Sequence, residues 1–481
     1  MLARLRDVHG RLTLALVARD WRDDRIEELE RENGALRNHV AQLEARVREL
    51  EAQVAKYSGN SSRPPSTDPP GAPPPARPKR KGRKRGGQAG HEKHERPLVP
   101  QERVTRIIVV KPSSCRRCGD PLSGDDPKPH RHQVTEVPKV VATVEEYQLH
   151  ALACTKCGIT TRAPLPAGVP TGQFGPRIQA MVAVCSGDYR MSKRAIEGMV
   201  EDFFEVPIAL GSIANLEQAT SEALAGPVEE VARAIHKQPV VHADETGWYE
   251  RSKRSWLWVA VTAHMALFAI RACRGARIAK ELLGEAFAGI LVSDRWSAYT
   301  WVEATRRQLC WAHLLRQFRG FQDHGPEAAA IGRALEMLTD SMFHVWHRVR
   351  DGTDTRAEFR RFIGNLRVHV VARLQEGANC PARVVAGRCR EILELEPALW
   401  TFANIEGVEP TNNAAELRIR HGVMWRKTSF GTDSPNGSRF VERILTVVTT
   451  LRMQRRNVLD YVTAACEASL QGTPPPSLLP E

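Results

Sequence analysis

The stretch QPVVHADETGW, residues 238–248, carries an apolar run straight into two adjacent acids, Asp244 and Glu245. Such a run predicts a strand. Carboxylates leaving an apolar environment side by side need a positive partner, because an unpaired charge away from water is costly. The residues that follow, WLWVAVTAH, ALFAIRACRG, the helical stretch ARIAKELLGEAF and then GILVSDRWSAY, predict two more strands, a helix and a fourth strand. Together they imply a mixed α/β sheet. The most hydrophobic window, SWLWVAVTAHMALFAI (255–270), is bracketed by Arg254 and Arg271 and contains His264. It falls short of the roughly 20 apolar residues of a membrane span and reads as two strands and a turn.

Asp244 in the first strand and Asp294 in the fourth both stand where a hydrophobic run gives out. If those strands are neighbours, the two carboxylates project at the same edge of the sheet. The partner they imply is a pair of divalent metal ions, since hard oxygen ligands suit Mg²⁺ or Mn²⁺. A third carboxylate is expected, and Glu416 in EPTNNAAELRIR (409–420) is the candidate, at a helix start with Asn412 or Asn413 as N-cap. The spacing of Asn413 and Glu416 equally fits a capping box, and Asp323, Glu409 and Glu442 compete for the role.

The chain has 481 residues, with 69 Lys and Arg against 56 Asp and Glu, a net charge of +13. That length exceeds one core and predicts several domains, and the charge favours a polyanionic partner such as nucleic acid. In RPKRKGRKR (77–85), Arg77, Lys79, Arg80, Lys81, Arg83, Lys84 and Arg85 put +7 into one stretch without aromatic interleaving. Contact with phosphates through counterion release follows; a merely solvated charge run is the alternative. MLARLRDVHGRL lacks the apolar segment of a secretory signal, so a cytoplasmic protein with no membrane partner is expected.

From Ile26 the apolar positions run Leu29, Asn33, Leu36, Val40, Leu43, Val47, Leu50 and Val54, alternating three and four apart. This is a coiled-coil seam with Leu at d and a single buried amide, Asn33, at a, which predicts a parallel homodimer or higher oligomer; a lone amphipathic helix is the alternative. A Pro-, Gly- and charge-rich linker follows from residue 58. Next, CRRCG (115–119) and CTKCG (154–158) form two knuckles. Cys115, Cys118, Cys154 and Cys157 present four thiolates for a structural Zn²⁺, with each Gly permitting the tight turn. VTEVPKVVATVEEYQLHAL between them fits a ribbon hairpin. The other six cysteines, Cys310 among them, carry no assignment. Residues 176–225 predict three helices with Ser192 and Ser212 as N-caps. They read as a helix-turn-helix with Ser212 and Asn215 toward DNA, or as an ordinary three-helix connector.

VVHADETGW, LVSDRWSAY, CWAHLLRQF and TNNAAELRIR, in this order and preceded by a zipper, NSSRPPSTD and paired Cys-x-x-Cys knuckles, resemble the DDE transposases of the insertion-sequence-sixty-six group. His421 stands where that group more usually has Pro. The resemblance implies a ribonuclease-H-like catalytic core with a helical insertion before the last acid. By motif, Asp244, Asp294 and Glu416 correspond to the catalytic, metal-binding acids, with two Mg²⁺ or Mn²⁺ ions as cofactors. The implied chemistry is cleavage of transposon ends and strand transfer. Double-stranded DNA and accessory proteins of the same mobile element are the implied partners.

The fold class is then multidomain: a coiled coil (1–57), a disordered Pro-rich and basic linker (58–100) and a zinc-binding ribbon (101–170). A helical helix-turn-helix-like DNA-binding domain (171–235) precedes an α/β ribonuclease-H-like core (236–323 and 401–450) with a helical insertion (324–400) and a tail (451–481). His313 is a candidate for the scissile phosphate. Trp248, Trp296 and Tyr299 are candidates for stacking on unpaired bases, and Arg418, Arg420, Arg426, Lys427 and Arg439 for phosphate contact. The rival reading is a non-catalytic zinc-containing DNA-binding regulator. A recombinase working through a covalent tyrosine is disfavoured by six Tyr in no Arg-His-Arg-Tyr constellation.

Overall fold

In a computed structural model, the structure describes residues 2–54 and 97–480. The basic run 77–85 lies outside them. Contacts divide the chain into two compact units, one holding residues 77–173 and 191–216, the other the remainder.

In the larger unit, α1 (Leu2–Val54) is one continuous helix. From residue 24 to 51 every side chain is exposed, including Ile26, Leu29, Leu36, Val40, Leu43, Val47 and Leu50 of the seam. The smaller unit carries the knuckles and a short hairpin, β1 (Ala151–Ala153) against β2 (Thr160–Arg162). The ribbon expected between the knuckles does not form: 134–149 is irregular, and Val134, Val137, Val140, Val141 and Val144 are exposed, with no sheet face to bury them.

The helices α2 (Pro176–Gly187), α3 (Lys193–Phe204), α4 (Leu210–Ala223) and α5 (Ala225–Ile235) follow. Ser192 caps α3, its hydroxyl accepting from the Ala195 amide at 3.2 Å. Ser212 is not a cap, because α4 begins two residues earlier.

The sheet consists of β3 (Val240–Glu250), β4 (Lys253–Val261), β5 (Ala266–Arg271), β6 (Ile290–Ser293) and β7 (Arg307–Leu309), in the order β5-β4-β3-β6-β7. The first three are antiparallel neighbours, and β6 and β7 add in parallel. The helix α6 (Ala276–Leu283) makes the crossover from β5 to β6. The edge strand β7 was not apparent in the sequence, because its buried Arg307 and Gln308 read as polar surface.

Period-2 alternation sorts the strand residues between two faces. Val241, Ala243, Trp258, Ala260, Leu267 and Ala269 pack into one core with α2, α5, α6 and two later helices, α13 (Pro435–Met453) and α14 (Val458–Gln471). Trp248, Leu257, Val259, Val261, Phe268 and Ile270 face α12 (Asn413–Ser429) and the other side of α13. Each Val, Leu, Ile or Phe side chain among them contributes about 1.5–3 kcal/mol when fully buried.

A third core gathers Val292 and Leu309 with α7 (Trp311–Gly320), α8 (Pro326–Arg350), α9 (Arg356–Ala378), α10 (Arg383–Glu394) and the short α11 (Thr401–Asn404). The segment expected as a tail is folded in: Val462, Ala465 and Leu478 are fully buried, and the Leu478 amide donates to Glu230 at 2.9 Å. No helix among the described residues is long and apolar enough to cross a membrane.

Candidate active site

The strand β3 does not end on its acids. It continues to Glu250, paired with β4 from His242 onward, while its parallel pairing with β6 stops at His242 and Val292. Asp244 therefore lies where the β6 side of the strand opens. Consecutive strand residues point to opposite faces, so the two acids of the opening sequence part company. Glu245 is almost fully buried and has found protein partners. Arg274 meets it at 2.6 Å and the Tyr299 hydroxyl donates to it at 2.5 Å. The positive partner of Glu245 is thus arginine, not metal.

Asp244 has no such cation. Among the described residues no Lys or Arg comes within ion-pair range of Asp244, Asp294 or Glu416. All three line one cleft of about 660 Å³. Burial, then the neighbouring charges of Glu245, Asp294 and Glu416, push the Asp244 carboxyl well above the usual carboxylate range. Its Oδ1 accepts from the Glu245 amide at 2.9 Å, and the Asp294 carboxylate likewise accepts from the Trp296 amide at 2.9 Å. A group of unneutralised acids on a shared cavity is a donor set for hard divalent cations. The three carboxylates are not drawn together within 4.8 Å of one another; among the described residues the set that is consists of Cys310, His313 and Glu416.

Glu416 is not part of a capping box. The N-cap of α12 is Asn412, which makes no side-chain cap hydrogen bond. Its buried amide bridges to β3, donating to the Ala243 carbonyl at 2.8 Å and standing 3.2 Å from His242 Nδ1. The Glu416 carboxylate is left facing the cleft, 3.3 Å from His313 Nδ1. Of its competitors, Glu442 accepts from the Ile270 amide at 2.5 Å and pairs with Arg271, a structural role, while Asp323 and Glu409 are not on the cleft.

The basic candidates separate by helical phase. Arg420 and Lys427 share the Glu416 face and line the cleft, while Arg418, two residues from Glu416, does not. Arg426 is tied to the Gly247 carbonyl at 2.5 Å and fastens α12 to β3, and Arg439 bonds Asn436. Among the aromatics, Trp248 and Tyr299 are fully buried, whereas Trp296 is on the cleft, with Arg274 stacked on its ring at 3.8 Å. Arg295, Arg316 and Arg388 also line the cavity and were missed in the sequence; their spacing carries no pattern.

In the smaller unit each knuckle closes as its glycine dictates. Gly119 and Gly158 adopt φ of 80° and 74°, and their amides return to the carbonyls of Cys115 and Cys154 at 2.9 and 2.8 Å. Hydrogen bonding from Cys118 and from Cys157 lowers the Cys115 and Cys154 thiols. The two pairs are not gathered into one four-sulfur set. Ser212 is half-buried and Asn215 exposed on α4, while Glu217 of that helix accepts from Ser186 on α2 at 2.7 Å.

Residues 171–439, more than half of the chain, match the model of the Transposase IS66 family. Residues 18–97 match a family of unknown function, DUF6444. An uncharacterized protein of Sinorhizobium fredii, y4qI, is 27% identical over 249 residues, which cover 47% of this chain and 45% of that protein. The chain thus spans less than half the length of that relative.

Proposed function

Because the chain belongs to the IS66 transposase family, we propose that it cleaves transposon ends and joins them to target DNA through Asp244, Asp294 and Glu416. The observation that carries this reading is the placement of the three acids on one cleft with no Lys or Arg, among the described residues, in ion-pair range of any of them, while their neighbour Glu245 is held by Arg274 and Tyr299. Divalent cations, Mg²⁺ or Mn²⁺, fit there, held by these carboxylates. When bound they would activate a water or a DNA 3′-hydroxyl and offset charge on the leaving oxygen. Arg420 and Lys427, on the same helix face as Glu416, would hold the phosphates flanking the cut. Trp296 at the cleft would stack on a base released there.

The sheet supports a ribonuclease-H-like core: three antiparallel strands, a crossover helix, then two parallel strands beside the first. The core of α8, α9 and α10 supports a helical insertion before the last acid. The paired knuckles would take a structural Zn²⁺ once their sulfurs close on the ion. The exposed seam of α1 would pair with a second copy, and α3 and α4, with the basic run 77–85, would contact duplex DNA.

The test is nicking of a supercoiled plasmid carrying the DNA that borders the gene, in Mg²⁺ or Mn²⁺. Wild type is expected to nick and join ends, and Asp244→Ala to bind the same DNA without cutting it. Cleavage by Asp244→Ala would overturn the assignment, and binding without cleavage by wild type would support the regulator reading instead.

A further inference from the structure

Glu416 faces a second kind of chemistry. Cys310 is buried immediately before α7, His313 lies three residues on, and both reach the carboxylate that projects from α12. Cys310 Sγ lies 3.8 Å and His313 Nδ1 3.3 Å from Glu416 Oε1. A tetrahedral zinc ion with Zn–S near 2.3 Å and Zn–N and Zn–O near 2.1 Å has S···O and N···O edges of about 3.6 and 3.4 Å. The observed separations are those edges to within a few tenths of an ångström. His313 Nδ1 is buried and makes no hydrogen bond, its approach to Glu416 lacking the alignment for one. Its lone pair is left for another partner. All three residues line the open cleft, which supplies water for a fourth position.

Thiolate and imidazole are poor ligands for Mg²⁺ and good ones for Zn²⁺. We propose that Cys310, His313 and Glu416 form a Zn²⁺ site that withdraws Glu416 from the hard-cation site and so represses cleavage. Binding releases the Cys310 thiol proton to solvent. The thiolate and carboxylate then balance the 2+ charge, so the ion is neutralised locally. The repression rests on Glu416 belonging to the acidic triad; the metal site itself does not.

The test uses full-length protein titrated with Co²⁺, whose thiolate charge-transfer absorption reports cysteine ligation. Cys115, Cys118, Cys154 and Cys157 contribute equally to wild type, Cys310→Ser and His313→Ala, and cancel in difference spectra. Wild type minus Cys310→Ser is expected to show one equivalent of cobalt–thiolate, and His313→Ala to bind that equivalent at least about tenfold more weakly. Identical titrations of all three proteins would overturn the site. If circular dichroism shows Cys310→Ser unfolded, His313→Ala alone decides.

In the nicking assay, added Zn²⁺ should inhibit wild type at concentrations that leave Cys310→Ser unaffected relative to its own zinc-free rate. Equal inhibition would overturn the repression. Cleavage that survives Asp244→Ala would remove the triad, while the cobalt difference would still decide whether the cysteine site exists.

Discussion

Asp244 and Asp294 each stand two residues past His242 and Val292, the last rung shared by the parallel strands β3 and β6. The pairings of Val240 with Ile290 and His242 with Val292 set a constant offset of 50 residues, the same offset that separates 244 from 294. The backbone thus holds two like charges on one side of the sheet where β6 pairing ends, and Glu416 arrives from α12. Replacing Asp244 by Asn relieves that repulsion. In chelator at neutral pH the variant is expected to be more stable than wild type by about 1 kcal/mol, the scale of an imperfectly satisfied buried polar group, while nicking is lost. The Asp244 carboxyl titrates above its unfolded value, so folding takes up a proton and wild-type stability falls as pH rises through the folded value. The gap between variant and wild type should therefore be largest at neutral pH and close in acid; thermal melts of both proteins across that range measure it.

A divalent cation should reverse this penalty. Mg²⁺ or Mn²⁺ at 100 times its dissociation constant stabilises the folded state by about 2.7 kcal/mol if it binds only there. Wild type should show a rise in melting temperature on addition of either ion, and Asp244→Asn little or none. Equal rises in both proteins would place the ion elsewhere.

The continuous apolar runs WLWVAV and ALFAI made β4 and β5 legible, and the acids at the ends of two apolar runs pointed to one sheet edge. Local chemistry also disclosed the left-handed glycines of the knuckles and the Ser192 cap. What stayed hidden is non-local. Arg274 meets Glu245 from a loop 29 residues away, and Asn412 binds β3 from 169 residues away. No period records either pairing. Nor does hydropathy reveal β7, whose Arg307 is fully buried beneath Asp294, donating to its carbonyl at 3.1 Å.

The His242–Asn412 contact supplies an acid sensitivity. Asn412 Nδ2 donates to the Ala243 carbonyl, so its Oδ1 accepts and His242 carries its proton on Nδ1. Burial holds the imidazole down to about 4 from 6.5, the Asn412 contact opposing it only in part. The unfolded chain binds that proton first, so stability is complete above pH 6.5 and is lost as pH falls toward 4, by roughly 3 kcal/mol at most. His242→Gln should flatten this part of the stability profile. Asn412→Ala should cost about 1–3 kcal/mol at neutral pH by leaving buried groups unpaired, and should slow cleavage by loosening the helix that carries Glu416.

The exposed seam of α1 gives an oligomer prediction. Leu29, Leu36, Leu43 and Leu50 lie along one stripe of an unbroken helix, and each is at least 44% exposed. Wild type should be dimeric or larger by light scattering, and Leu36→Lys with Leu43→Lys should be monomeric, since two charges at d positions cannot be desolvated in the seam. A monomeric wild type would refute pairing through this helix.

Arg274 and Glu245 form a buried pair whose halves are unequal when removed. Arg274→Ala strands a carboxylate that is 8% exposed beside Asp294, with only Tyr299 left as a donor. Breaking such a pair from one side costs about 3–5 kcal/mol. Glu245→Gln leaves a neutral acceptor for Arg274 and Tyr299 and places the uncompensated charge on Arg274, which is partly solvated and stacked on Trp256 and Trp296. It should therefore cost less. Adding Glu245→Gln to Arg274→Ala should recover much of the loss, because the stranded charge is gone. Denaturant melts of the four proteins measure the coupling. Additive losses would show that Arg274 acts mainly through its ring contacts and not as the counter-charge of Glu245.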